Sequence, residues 1–324
     1  MEPKSIAFYT AVAVSILAVL SATTFPTLAQ AQSAEDQEQP DQEDDNASTE
    51  AATVEEEETE ETENGEQNEE TNPNRAAASE SLGLSSDNGQ VTCGETINEP
   101  NAVVGLSGDL NCGPGDGLTV NAPGVQIKMN GYKITGDADE ESSTQGLTMD
   151  YDGSTGILVN ADGVIISGLG EVSGFDRGIT FLGSSDGQLS DVQVANNGIG
   201  VLVSGSTGTE LSRNTITNND VAVILDSSSD GAIAFNQIVS NMENGIALLG
   251  ADRNVVAANN MFGNGQYGIY MDITSNENTA DYNTVFGHEG ADINNADGQP
   301  TNVNQNSFGG NNNCGTSTPG GLCR

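Results

Sequence analysis

Residues Leu211-Ser212-Arg213-Asn214-Thr215-Ile216 are answered one repeat later by Ile233-Ala234-Phe235-Asn236-Gln237-Ile238. The pattern is an apolar residue, two variable residues, Asn, one variable residue and a second apolar residue. It returns from Val256 to Met261 around Asn259, from Ala280 to Val285 around Asn283, and from Val303 to Phe308 around Asn306. Upstream, Leu189 to Val194 fits with Val192 in the Asn place. A second register runs through the same region as Gly156-Ile157-Leu158-Val159, Gly178-Ile179-Thr180-Phe181, Gly198-Ile199-Gly200-Val201, Asp220-Val221-Ala222-Val223, Gly245-Ile246-Ala247-Leu248 and Gly268-Ile269-Tyr270-Met271, at spacings of 22, 20, 22, 25 and 23. Two registers that keep one drifting period mark an internal repeat.

The repeat dictates an architecture. From Val91 onward, short apolar alternations are broken by Gly, Asn, Asp and Ser, which is strand and turn chemistry with no helical period. Each repeat holds two or three strands of about four to five residues. No single repeat covers its own apolar face, so a core arises only when each stacks on the next. The expected fold is an all-β, parallel β-helix solenoid of about nine or ten coils over residues 81–324. Ile199, Val201, Ile216 and their equivalents then point inward, each burial contributing about 1.5–3 kcal/mol before entropy is subtracted. Asn214, Asn236, Asn259, Asn283 and Asn306 fall at one turn per coil. There Asn tolerates left-handed backbone and can bond the equivalent amide one coil away, forming a ladder.

Alternation also predicts what lies outside. Gln193, Thr215, Gln237, Asn260, Thr284 and Ser307 should form a polar row along which a glycan chain could lie, although plain solvent exposure is the default reading, since the outer face of a half-buried strand is polar in any case. Leu182, Leu202, Ile224 and Leu249 should form an apolar stripe that requires a covering loop, a second copy or another protein.

The first quarter of the chain is different in kind. Lys4 precedes the apolar run Ile6 to Leu20, and Ala29-Gln30-Ala31 follows as an A-x-A cleavage pattern, so residues 1–31 read as an export signal. Retention as a short membrane anchor is the alternative. Eighteen acidic residues and no Lys or Arg lie between Glu35 and Glu70. Residues 32–80 therefore cannot bury enough surface to offset ordering entropy and read as a disordered, self-repelling acidic linker. Asn46-Ala47-Ser48 within it is a glycosylation sequon.

Cysteine placement agrees with export. Cys93 and Cys112 bracket the start of the folded part and Cys314 and Cys323 its end, so two local disulfides at the caps are the simple reading in an oxidising compartment. Four thiols split between opposite ends of a solenoid cannot share one metal ion.

These residues resemble the right-handed parallel β-helix repeat family of the pectate-lyase-like superfamily, especially its secreted NosD-type relatives. The marks are Cys93-Gly94-Glu95-Thr96-Ile97, Leu110-Asn111-Cys112, the stretch from Gly124 to Ile134, and the closing Asn313-Cys314 to Leu322-Cys323. The resemblance implies the right-handed fold and leaves the activity open, since the superfamily holds lyases, hydrolases, adhesins and proteins without known chemistry. It also raises copper. His288 is the sole histidine and Met242, Met261 and Met271 are scattered, so the soft-ligand cluster is missing and no copper is expected.

No catalytic residues stand out. Lys128, Lys133, Arg177, Arg213, Arg253 and Arg324 occupy different places in the repeat and build no basic cleft. Asp191 and Arg213 fall one coil apart, which predicts a surface ion pair. Asp137, Asp139, Glu140, Glu141, Asp150 and Asp152 crowd an insertion between Ile134 and Ile157, which is either a solvated acidic loop, ordinary for a chain this acidic, or a ligand or Ca²⁺ loop on a rigid scaffold. The net charge of −40 repels polyuronates and nucleic acid. The expected protein is secreted or cell-surface, or periplasmic in a two-membrane envelope. It acts as a non-catalytic module binding glycans or surface proteins, and it meets a membrane only if its first segment is retained. A polysaccharide lyase or hydrolase and a structural envelope component are the competing readings.

Overall fold

The computed structural model describes residues 91–137, 153–296 and 305–324. Their 28 short strands fall into three parallel sheets, one of ten strands and two of nine. Nine coils of three strands are closed by one last strand. The first sheet runs from Glu95–Ile97 to Ser317–Thr318, the second from Val103–Gly105 to Ser307–Phe308, and the third from Leu110–Gly113 to Asn313–Cys314. The described residues contain no helix.

Register follows the period read from the sequence. Leu189, Leu211, Ile233 and Val256 pair in succession in the second sheet, and Val194, Ile216, Ile238 and Met261 in the third. All eight are at most 1% exposed and belong to one continuous core. Ile179, Val201, Val223, Ile246 and Ile269 make a matching column in the first sheet. Because every coil buries its apolar side chains against the next, the solenoid is a stack of nearest-neighbour interfaces.

Ile199 departs from expectation. It joins Leu202, Val221, Ile224 and Ala247 in a separate cluster, whereas Val201 and Val203 join the core. The inward place is taken by Gly200, whose missing Cβ would stand 2.6 Å from the Ala222 carbonyl oxygen and 3.0 Å from both Asn219 Nδ2 and Ile216 Cγ2. Val221, the partner of Ile199 one coil on, is likewise outside the core, with Ala222 in the core beside it.

The corners are built from left-handed residues. Between the second and third sheets the positive φ falls on Asp191, Arg213, Phe235, Ala258 and Tyr282. The ladder asparagines come next in sequence and are not left-handed themselves. This corrects the sequence-based rationale: what recommends Asn at the corner is its amide and not its tolerance of positive φ. Bulky Phe235 and Tyr282 hold a costly conformation, offset by the hydrogen bonds of the amide that follows.

Both ends are tied by disulfides, Cys93 to Cys112 across 19 residues and Cys314 to Cys323 across 9.

Candidate functional site

Three polar ladders run up the corners. In the first, Asn214, Asn236, Asn259 and Asn283 each donate from Nδ2 to Oδ1 of the next amide at 3.0–3.1 Å, and the backbone N–H of each donates to the same oxygen. The last acceptor is Asn312. Asn306 belongs elsewhere: it follows Asn254 and Asn278 in a second ladder, at the corner between the first and second sheets, and donates in turn to Asn295 Oδ1 at 3.2 Å. The inserted residues of the last coil shift the chain, so the apolar-x-x-Asn pattern at Val303 to Phe308 matches the wrong corner. A third ladder joins Asn197, Asn219, Asn241 and Asn264 between the third and first sheets and finishes on His288. It was missed, although spacings of 22, 22 and 23 carry the same signal.

The outer face of the third sheet holds the polar row. Gln193, Thr215, Gln237, Asn260 and Thr284 pair in successive strands. The next place is taken by Asn313 and not by Ser307, which pairs with Thr279 in the second sheet. Beside this row run Thr217, Val239, Phe262 and Phe286, in register. The Phe262 and Phe286 rings stack with centroids 6.4 Å apart. At the other end, Lys133, Leu169, Glu171, Asp191, Gln193 and Arg213 are among the residues lining an open groove of about 600 Å³.

Charge in that groove is paired. Arg213 grips Asp191 through Nε and Nη2, each at 2.8 Å, and Lys133 meets Glu171 at 2.8 Å. The Arg213 guanidinium holds the Asp191 carboxyl below its usual range. A second forked pair, Arg253 with Asp230 at 2.7–2.8 Å, lowers the Asp230 carboxyl in the same way. One carboxyl moves the other way: burial, and then Glu243 on the neighbouring coil, push Asp220 up, and its Oδ2 has no hydrogen-bond partner.

The apolar stripe is two rows. Leu182, Ser204, Asp226 and Leu249 pair in succession, whereas Leu202 lies in the row Thr180, Leu202, Ile224 and Ala247. The coil spacing between these strands is 22, so Leu202 answers Thr180 and not Leu182. Leu182 is 40% exposed; Leu202 and Ile224 are 1% exposed. Of the acidic insertion, Asp137 is described and lies on the surface, its N–H bonded to the Gly113 carbonyl. Asp139, Glu140, Glu141, Asp150 and Asp152 lie outside the described residues, as do the export signal and acidic linker expected at residues 1–80.

Fold, caps and ladders together define a right-handed parallel β-helix repeat protein stapled by disulfides. The family model described as "Periplasmic copper-binding protein (NosD)" matches residues 114–320, well over half of the chain. The chain belongs to the NosD family, which is periplasmic and so agrees with a place outside the cytoplasm.

No curated protein matches the sequence. Solved structures similar to the chain include the Dettilon tailspike protein (gp208), at 17% identity and a TM-score of 0.41, covering 68% of this chain and 54% of that one. The Azotobacter vinelandii mannuronan C-5 epimerase AlgE4 A-module is 13% identical with a TM-score of 0.40, covering 61% of this chain and 65% of that one. The periplasmic alginate epimerase AlgG is 16% identical with a TM-score of 0.34, covering 70% and 76%. The chain thus spans about half the tailspike and just under two thirds of the AlgE4 module. These likenesses concern the fold alone.

Among the described residues the donors do not suit copper. All four cysteines are in disulfides. Met261 and Met271 are core residues with no exposure, and Met242 stands alone at the surface. Both ring nitrogens of His288 are engaged, one with Asn264 and one with Asp292. Among the described residues no three His, Cys, Asp or Glu side chains converge.

Proposed function

We propose that the protein is a non-catalytic binding module of the cell envelope or surface that lays a glycan along the outer face of its third sheet. The observation that carries this reading is the in-register row Gln193, Thr215, Gln237, Asn260 and Thr284 beside the stacked Phe262 and Phe286 rings. Amides and hydroxyls offer donors and acceptors at the strand spacing of about 4.8 Å, and aromatic rings offer a face for the apolar side of a pyranose. Paired charges in the adjoining groove leave no free cation there, which favours a neutral glycan over a polyuronate. Ca²⁺ held by the acidic insertion, a protein partner on the same face, and secretion or surface tethering through the first segment belong to the same proposal. A glycan array of the full chain, with and without Ca²⁺, tests it. Retention of neutral glycans, lost on Gln237→Ala/Phe286→Ala, is expected; a flat array in both conditions overturns it.

A polysaccharide lyase or hydrolase is the second reading, favoured by the Asp220 carboxyl, which burial and then Glu243 push up, as suits a general acid. Release of reducing or unsaturated ends, abolished by Asp220→Asn, would establish it.

A further inference from the structure

The third ladder has a direction, and that direction fixes the protonation of the only histidine. Asn241 donates to Asn264 Oδ1 from both its backbone N–H and its Nδ2, at 3.1 and 2.8 Å. With its oxygen thus oriented, Asn264 presents Nδ2, which donates to the Ile238 carbonyl at 3.2 Å and faces His288 Nε2 at 3.2 Å. Nε2 must therefore accept. The ring proton sits on Nδ1 and is donated to Asp292 Oδ1 at 3.1 Å. Asp292 Oδ2 accepts the backbone N–H groups of Gly315 and Thr316 at 2.7 and 2.9 Å, and the Asp292 N–H donates to Thr316 Oγ1 at 3.0 Å. One chain of hydrogen bonds thus leads from the corner amides through His288 to the segment enclosed by the closing disulfide.

The ladder cannot reverse to suit a second ring proton. Turning the Asn264 amide would aim its Nδ2 at two donors of Asn241, and the backbone N–H groups of Asn197, Asn219 and Asn241 all demand an oxygen from the next rung. The ring cannot escape by a small shift either. Its side chain has no exposure, and even a Cβ on Gly268 would come within 2.8 Å of Nε2. Among the described residues, Asp292 is the charged group that acts on the ring.

We propose that His288 is an acid-sensitive latch for the carboxy-terminal cap: a proton on Nε2 sets donor against donor, expels the ring from the ladder, and frees Asp292 and the Gly315–Thr316 segment from the last coil. The closing strand Ser317–Thr318, paired with Ile293–Asn295, then loosens and bares a sheet edge. Burial already holds the ring below the ordinary imidazole value of 6.5, with Asp292 opposing. An unfolded cap binds the proton more readily than the folded one, so the latch is fully closed above 6.5 and weakens as pH falls below it. The inference is independent of the glycan reading, since it concerns the end of the stack and not its outer face.

Untagged full-length protein gives a single imidazole signal because the chain has one histidine. Nitrogen shifts at about pH 7.5 should report the Nδ1–H tautomer. Between about pH 7.5 and pH 5, exchange protection of the Gly315, Thr316 and Ile293 amides, corrected for intrinsic rates, should fall about tenfold or more while Val201 is unchanged. His288→Asn supplies the rung used elsewhere in the ladder and should remove that pH dependence while keeping the cap protected at neutral pH. A proton on Nε2 at neutral pH, or the same pH dependence in His288→Asn, would overturn the proposal.

Discussion

Asn283 Nδ2 donates to Asn312 Oδ1 at 3.1 Å, and the two residues are 29 apart in the chain. Elsewhere in this ladder the step is 22 to 24 residues, so the last coil carries extra chain and still closes on the same amide contact. The corner geometry, not the residue count, selects the partner.

The ladder should therefore dominate the energetics of the corner. Asn236→Ala takes the acceptor from the buried Asn214 N–H and Nδ2, and removes one donor to the Leu211 carbonyl. The unsatisfied N–H costs about 1–3 kcal/mol and each further lost bond about 0.5–1.5 kcal/mol, so a loss of about 2–4 kcal/mol is expected in urea unfolding at unchanged slope. Gln237→Ala, one residue on and outward, should stay within about 0.5 kcal/mol. Equal losses from the two would show that the ladder is not a principal support.

Ile246 tests the column beneath. It is fully buried between Val223 and Ile269 of the adjoining coils. Ile246→Asp places an unpaired carboxylate there at a cost of several kcal/mol, and thermal unfolding should drop by tens of degrees or folding should fail. An unmoved transition would contradict the stacked core.

How much of this was written in the sequence follows from what periodicity can encode. The inward columns were legible because Leu211, Ile233 and Val256 recur at a nearly constant step and face one another. Asn306 and Ser307 were misassigned because an insertion changes the step in the final coil, and local pattern alone cannot say which corner a repeat occupies. Leu182 and Leu202 were joined in one row because they sit 20 apart where the coil takes 22. The Phe262 and Phe286 pair was hidden for a different reason: outward rows have no burial pattern to announce them. His288 was read as a lone residue because its role depends on the orientation of four amides before it.

Asp191 and Arg213 form the best-aligned ion pair of the groove, yet their side chains are 41% and 58% exposed. Water and salt screen such pairs, so a double-mutant cycle should return no more than about 1 kcal/mol, shrinking toward zero as salt is raised. Since the Asp191 carboxyl is held low by Arg213, the coupling should be present in full above the ordinary carboxylate value of 3.8 and fade as pH falls below it toward the lowered folded value. A coupling of several kcal/mol would mark the groove as far drier than these exposures indicate.

The caps offer the sharpest test of one-dimensional stability. Removing the Cys93–Cys112 link releases a 19-residue loop, a loss of about 3 kcal/mol in the chain-entropy view, and the 9-residue Cys314–Cys323 loop somewhat less. In a globular domain that loss would be felt everywhere. Here each coil touches only its neighbours, so Cys93→Ala/Cys112→Ala should fray the first coil. Exchange protection at Leu118–Val120 should fall while the strand Ile199–Ser204 keeps its own. A uniform loss along all three sheets would mean that the solenoid unfolds as a single unit and that its ends are not independent of its middle.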